Sequence, residues 1–162
     1  MAELKKLIVI GQAPGPTGEG KEPFCTSSYS GQRLRKYMGA KLMRRAQMVN
    51  LLSSYPGHSG DTLGGDRFDS RLGRISARIL FEEGSLHGAL VVMAGRHVAY
   101  ACAPLFGSMS DPYFLRSRTE NADGWLEHVC VPHPSGVNRW WNEPKNRSQA
   151  RAFFKSLRRE FL

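Results

Sequence analysis

The amino-acid sequence predicts an α/β fold with three layers, in which a central, mainly parallel four-stranded sheet lies between helices. Two observations predict it: short apolar runs of strand length recur along the chain, and stretches with helical spacing separate them. The chain has 162 residues, of which 41% are hydrophobic, so it can form one domain with its own core. We therefore predict a single domain over residues 1–162.

The strands are predicted from apolar runs that end in glycine, proline or a polar residue. Neighbouring positions in these runs are both apolar, which is typical of strands buried on both faces of a parallel sheet. The four runs are Leu7–Ile10, Ala46–Leu52, Ala89–Ala94 and Trp125–Pro132. The segment Ser108–Gly124 has no clear pattern and is predicted to be a variable insertion.

Helices are predicted where apolar residues recur every three to four positions. The segments are Gly31–Leu42 with Ser30 as its N-cap, Phe68–Phe81, His97–Phe106 and Lys145–Phe161. In the second helix, Leu72, Ile75 and Ile79 share one face, and we expect that face to contact the core.

The charge of the chain is the first indication of a partner. Lysine and arginine number 23 against 14 aspartate and glutamate, which gives a net charge of +9. Such a surplus favours a polyanionic partner, because neutralising phosphates releases counterions; the alternative is that the charge serves solubility alone. We expect DNA as the partner, single- or double-stranded, and neither a membrane nor an obligate protein partner.

The expected location follows from the apolar runs. None of them reaches the roughly 20 residues that a membrane span needs. The run near the N-terminus is also too short for the core of a signal peptide. The expected location is the cytoplasm for a bacterial or viral protein, or the nucleus for a eukaryotic one.

The cysteines indicate no metal site. Cys25, Cys102 and Cys130 are scattered, and no Cys-x-x-Cys pair exists, so neither zinc nor an iron–sulfur cluster is indicated. Cys102 and Cys130 lie in apolar stretches and are predicted to be buried, reduced thiols. We expect no metal and no cofactor.

Polar residues or glycines lie at or directly after the end of each predicted strand. Gln12 follows the first strand, Asn50 lies at the second, Gly95 and Arg96 follow the third, and His133 follows the fourth. In parallel sheets the ligand binds beyond the carboxyl ends of the strands, so these residues predict one site. The amide of Asn50 needs a hydrogen-bond partner, which is either the edge of a nucleobase or a loop carbonyl.

Among the segments that follow the strands, the one from His133 to Asn142 contains the most candidate functional residues. A histidine at a strand end can donate a hydrogen bond to an oxygen that gains negative charge in a transition state. Ser135, Gly136 and Asn138 offer small groups and donors for a phosphate, and Arg139 with Trp140 and Trp141 combines a cation with stacking surfaces. The alternative is a structural histidine with core tryptophans.

Together these residues resemble the uracil-DNA glycosylase superfamily over most of the chain, in the right order. Gly11-Gln12-Ala13-Pro14-Gly15 is similar to the first motif in its Gly-Glu-Ala-Pro-Gly form, which occurs in the iron–sulfur-bearing branch. The segment Pro23-Phe24 followed by Ser30-Gly31 resembles that branch as well. Met48-Val49-Asn50-Leu51 resembles the strand with the base-recognising Asn, Val92–Gly95 the third strand, and His133-Pro134-Ser135 the second motif. Asn138, which follows this motif, resembles the corresponding residue of the single-strand-selective branch.

The resemblance implies roles in flipping a base out of DNA. Backbone groups around Gln12 and Ala13 would hold the flipped base, Phe24 would stack on it, and Asn50 would recognise its edge. His133 would stabilise the anionic base as the glycosidic bond breaks. Contacts to the DNA backbone would come from Pro14, Gly15, Ser135, Gly136 and Asn138, and Arg139 or Trp140 would fill the hole left in the duplex.

The sequence departs from the family pattern at the acidic residue of the first motif. Ala13 stands where the best-known members have a water-activating Asp, and Gln12 stands where the related branch has Glu. A glutamine cannot act as a base, so catalysis would depend on the electrostatics of His133 alone or on Glu19. The cluster cysteines of that branch are also missing. The chain is therefore expected to be a divergent member that acts on a uracil-like or modified pyrimidine.

Three functions remain open from the sequence. The first is a monomeric DNA glycosylase of base excision repair, with His133, Gln12 and Asn50 as its catalytic residues. The second is a catalytically weakened relative that binds DNA or a base without cutting. The third is another nucleobase- or nucleotide-modifying enzyme on the same fold.

Overall fold

The computed structural model describes residues 6–16, 22–57, 67–84, 86–106, 113–121 and 124–162. The strands are β1 (Lys6–Gly11), β2 (Gln47–Asn50), β3 (Ala89–Ala94), β4 (Ser117–Asn121) and β5 (Gly124–Val131). The helices are α1 (Tyr29–Met38), α2 (Ala40–Arg45), α3 (Ser70–Glu82), α4 (Arg96–Phe106) and α5 (Pro144–Phe161), with a 3₁₀ turn at Arg139–Asn142. In the described part of the chain, no helix is long and apolar enough to cross a membrane.

The sheet confirms the predicted α/β class. Its strand order is β2-β1-β3-β5-β4; β2, β1, β3 and β5 run parallel, and β4 pairs antiparallel with β5. The sheet has five strands rather than the four predicted. The extra strand, Ser-Arg-Thr-Glu-Asn, lies within the segment predicted to be an insertion and has no apolar residue, so periodicity could not reveal it.

Successive side chains of the central strands enter two separate cores. Val9 and Val92 pack on one face of the sheet, with residues of α1 and α5, while Ile8 and Val91 pack on the other face, with residues of α3 and α4. Alternate positions of a strand point to opposite faces, so burial on both faces requires an apolar residue at every position. All six residues of β3 are buried for this reason.

The first predicted helix is two helices in the structure. The side chain of Ser28, not that of Ser30, caps α1 by accepting a hydrogen bond from the backbone N–H of Gly31. Gly39, with φ of 81°, ends α1 and starts α2. A positive φ suits glycine and interrupts the helix, whereas the apolar spacing runs on through the break.

The core-facing side of α3 was predicted wrongly. Leu72, Ile75 and Ile79 are 52%, 47% and 48% exposed. The buried residues of α3 are instead Gly73 and Ala77. A Cβ at Gly73 would lie 3.4 Å from that of Ala101 in α4, so small residues let these two helices approach closely.

Candidate active site

Four strand ends meet at one edge of the sheet. Gly11 at the end of β1 is in register with Asn50 of β2, and Ala94 of β3 is in register with Val131 of β5. Because these strands are parallel, the residues that follow them lie in a row along that edge. Three interstrand spacings separate β2 from β5, a distance of roughly 14 Å.

Gly11, Phe24 and Asn50 form one end of this row. A Cβ at Gly11 would lie 2.5 Å from Oδ1 of Asn50 and 2.7 Å from Cζ of Phe24. The missing side chain therefore lets an amide and an aromatic ring approach the same point. Phe24 has φ of 54°, a conformation that is costly for a bulky residue and is found preferentially at functional sites.

His133 forms the other end of the row, and its ring is held in place. Its Nδ1 accepts a hydrogen bond from the backbone N–H of Ser135 at 3.2 Å. A neutral imidazole that accepts at Nδ1 carries its proton on Nε2, so the ring has its donor on that nitrogen. The ring also packs on Gly95: a Cβ there would lie 3.3 Å from the ring atom Cδ2 of His133.

The carbonyl group of His133 is held by two side chains. It accepts one hydrogen bond from Nδ2 of Asn138 and another from Nε1 of Trp141, both at 2.9 Å. Oδ1 of Asn138 accepts in turn from the backbone N–H of Trp140. Both ends of the Asn138 amide are thus engaged within the chain, and this side chain holds the loop together.

Arg33 of α1 is a functional candidate that sequence reasoning missed. Its Nη1 donates to the carbonyl of Ser135 at 2.6 Å, and its guanidinium carbon lies 5.4 Å from the centre of a Trp141 ring. The available signal was its place one helical turn before the core residue Tyr37, which puts a cation on the inward side of α1.

The loop after β1 is held differently. The carbonyl groups of Gly11 and Gln12 accept from the backbone N–H groups of Leu51 and Leu52, both at 3.0 Å. The side chain of Gln12 donates from Nε2 to the carbonyl of Arg67 at 3.4 Å. These two carbonyl groups therefore join the loop after β1 to the segment after β2.

Ala13, Pro14 and Gly15 are half-buried beside Gln12. The run Gly11–Pro16 contains no carboxylate. Glu19, the alternative base, lies outside the described residues.

The exposed part of the His133 loop is its tip. Gly136 and Arg139 are exposed, and Val137, which sequence reasoning also missed, is 55% exposed. The available signal was its place between Gly136 and Asn138, in the loop that follows the predicted fourth strand. The tip thus offers an apolar side chain and a cation to a ligand.

The two tryptophans of the loop pack against other aromatic rings of the protein. Trp141 is 5% exposed and lies 4.9 Å from the ring of Tyr37, so its interpretation as a stacking surface for bases is wrong. Trp140 is half-buried, with its ring 5.6 Å from Phe114 and 5.9 Å from Tyr113. The large apolar area of the indole rings favours burial over exposure at the tip.

A cavity of about 610 Å³ adjoins the Asn50 end of the row. It lies between the segment after β2 and α3, and polar groups line much of it. Its lining includes Asn50, Ser53, Ser54 and Arg67.

No cluster of three or more His, Cys, Asp or Glu side chains occurs in the described part of the chain. The three cysteines are thiols; Cys102 is buried, while Cys25 and Cys130 are partly exposed, so the predicted burial of Cys130 is only partial. Burial raises the pKa of the Cys102 thiol to about 12, which keeps it protonated and unreactive at neutral pH.

Comparison with known proteins agrees with this arrangement. The family model of the uracil DNA glycosylase superfamily matches residues 2–158. Among curated proteins the chain has no match. Proteins of this superfamily bind DNA and are generally DNA glycosylases. The match covers nearly the whole chain and includes every strand end of the site, and the chain therefore belongs to the uracil-DNA glycosylase superfamily.

Proposed function

We propose that this protein is a DNA glycosylase that flips a uracil-like or modified pyrimidine out of DNA and hydrolyses its N-glycosidic bond. The observation that carries the proposal is the fixed ring of His133, with Nδ1 occupied as an acceptor, on the same sheet edge as Asn50 and Phe24. These groups supply a donor, an amide and a stacking ring, which are what binding and activating a pyrimidine require.

The proposed binding step uses the Asn50 end of the row. The flipped base stacks on Phe24, and the amide of Asn50 offers one donor and one acceptor to its hydrogen-bonding edge. The exposed side chains of Val137 and Arg139 enter the space that the base leaves in the DNA, as apolar and cationic side chains do in other proteins that deform nucleic acids.

The proposed chemical step uses His133. As the bond between C1′ and the base nitrogen breaks, its electron pair stays with the base, and the negative charge collects on a carbonyl oxygen. A hydrogen bond from Nε2 of His133 stabilises this charge more in the transition state than in the ground state. Water then bonds to C1′ and loses its proton to solvent or to the departing base. Gln12 does not take that proton, because an amide is not a base.

A modified base is favoured over plain uracil by the cavity beside Asn50. Its volume of about 610 Å³ leaves room for a substituent next to the recognised edge, with Ser53, Ser54 and Arg67 available to contact it.

The proposed role is that of a monomer in base excision repair, in whichever compartment holds the DNA.

A second candidate function is favoured by one residue. Gln12 in place of a carboxylate fits a protein that binds DNA or a flipped base without cutting it.

One assay separates the two functions. The protein is incubated with oligonucleotides that carry uracil or modified pyrimidines, and abasic sites are then revealed by strand cleavage in alkali. We expect abasic sites with at least one base, and about 10²–10³-fold slower formation of them by His133→Ala prepared in parallel. Binding without abasic sites for any base would favour the second function.

A further inference from the structure

Tyr29 is an exposed aromatic residue at the rim of the His133 loop. It is the first residue of α1, and its side chain is 59% exposed. Cε1 of its ring lies 3.3 Å from the position that a Cβ at Gly136 would take, so the ring lies against the backbone of the loop. A large aromatic surface is thus left to solvent beside Gly136, which follows His133 by three residues in the chain.

The ring of Tyr29 is held by Arg33 although it is exposed. Nη2 of Arg33 donates to the Tyr29 hydroxyl at 2.9 Å, and the guanidinium carbon lies 4.8 Å from the ring centre. The same guanidinium donates to the carbonyl of Ser135 and lies near Trp141. One cation therefore joins the exposed ring to the loop that carries His133, and the ring loses little freedom when a ligand binds.

A fixed aromatic ring beside a cation is what proteins use to bind unpaired bases. Any base can stack on such a ring, and the cation adds attraction for the backbone phosphates. A base inside a duplex already stacks on its neighbours and cannot lie on the ring. An exposed ring in this position therefore selects for single-stranded nucleic acid.

We propose that Tyr29 is a stacking platform for the unpaired base next to the target nucleotide, and that the protein prefers single-stranded DNA for this reason. Phe24 holds the target base at the Gly11 end of the row, while Tyr29 contacts the neighbouring base beside Gly136 of the His133 loop. The inference rests on the proposed function for the identity of the target, but its binding step does not require excision.

The test compares binding to a single-stranded oligonucleotide and to the matching duplex, measured by fluorescence anisotropy. Tyr29→Ala is expected to weaken single-strand binding about 5- to 100-fold, as the loss of one base–aromatic stack does, and to change duplex binding little. Tyr29→Phe and Tyr29→Trp keep the ring and are expected to bind within about twofold of wild type. Tyr29→Leu keeps packing on Gly136 but loses the aromatic face, so it should behave like Tyr29→Ala.

Tyr100 provides a matched control. It lies on α4 and is 58% exposed, almost as much as Tyr29. Tyr100→Ala should leave both affinities unchanged. A 2-aminopurine base placed beside the target should lose fluorescence on binding to wild type and to Tyr100→Ala, but not on binding to Tyr29→Ala.

The outcomes keep this inference apart from the proposed function. If wild type excises no base but Tyr29→Ala still loses single-strand binding, the platform stands and the glycosylase assignment fails. If Tyr29→Ala binds single strands as tightly as Tyr100→Ala does, the platform is refuted whatever the excision assay shows. Equal losses for single strand and duplex would also overturn it, because they would indicate a general contact and not stacking on an unpaired base.

Discussion

The two ends of the strand-end row are constructed differently. At one end, hydrogen bonds from Ser135, Asn138 and Trp141 and the packing of Gly95 fix His133. At the other end, the loop after β1 carries an amide, Gln12, whose side chain makes a long hydrogen bond of 3.4 Å to the carbonyl of Arg67. The groups that we propose to stabilise a departing base are held in place by hydrogen bonds, whereas the residue next to β1 in position to activate water is an amide.

This difference indicates which part of the reaction the protein supports. Stabilising charge on the leaving base needs a fixed donor, and preorganised donors of this kind often provide the largest single contribution to catalysis. Activation of water by a general base is a separate contribution of about 10²–10⁴-fold. We therefore expect the proposed glycosylase to be slow, with a rate that depends on the His133 end of the row.

Among substitutions other than that of His133 itself, the largest change is expected from restoring the acid. Gln12→Glu should raise the single-turnover excision rate on uracil by on the order of 10²-fold, because it supplies the missing base. The gain should disappear below the pKa of the new carboxyl group, where it is protonated. Gln12→Met, which is similar in size and not a base, is the control; an equal gain there, or no gain with Glu, would show that water activation does not limit the rate.

Loosening the His133 end should produce the next largest effect. Gly95 has φ of 105°, and a Cβ there would lie 3.0 Å from that of His133, so Gly95→Ala strains the backbone and displaces the ring. A displacement near 1 Å can cost about 10²-fold in rate. Gly88→Ala shares the positive φ but has no atom within 4 Å of its Cβ, so it should lose stability and keep its rate. A normal rate for Gly95→Ala would mean that the ring position is not critical.

Asn50 should control which base is accepted. Asn50→Asp replaces a donor with an acceptor and should shift excision among the bases of an oligonucleotide panel by about 1–3 kcal/mol in relative kcat/KM. Thermal melting checks that the variant folds, because Oδ1 of Asn50 lies close to Gly11 and the substitution alters this packed region. An unchanged order of preference, in a folded variant, would indicate that Asn50 bonds within the protein instead.

The smallest expected effect is a loss of stability at acidic pH that depends on His128. His128 is buried, stacks on Phe106 and shares a hydrogen bond with Thr119, and burial lowers its pKa below the ordinary 6.5. The unfolded chain therefore binds a proton that the folded chain does not, so the free energy of unfolding should fall as pH drops below about 6.5. Denaturant melts of wild type and His128→Gln across pH 5–8 should differ in this slope, and equal slopes would contradict the assignment.

The sequence predicts the sheet edge well because its signals are local. Each central strand is a short apolar run followed by glycine, proline or a polar residue, and parallel pairing alone brings Asn50, Gln12, Gly95 and His133 to one edge. The His-Pro-Ser segment is dense enough to be recognised without any structure.

The features that could not be predicted depend on contacts across the fold. Arg33 acts on Ser135, 102 positions away, and nothing near it in sequence indicates that contact. Trp141 is close in sequence to Arg139 and Asn138, and this neighbourhood suggests a binding surface. In the structure its ring is instead buried against Tyr37. In α3, the apolar stripe was visible but the small residues Gly73 and Ala77 determine which face approaches α4.

The most direct test of the account is the single-turnover excision rate of His133→Ala beside its DNA affinity. Removal of a single donor to a developing negative charge typically costs about 10²–10³-fold in rate. The account predicts a loss of that size on the base that wild type excises fastest, with an affinity for the same oligonucleotide within about twofold of wild type. Full excision by His133→Ala would contradict the central claim that this loop stabilises the departing base.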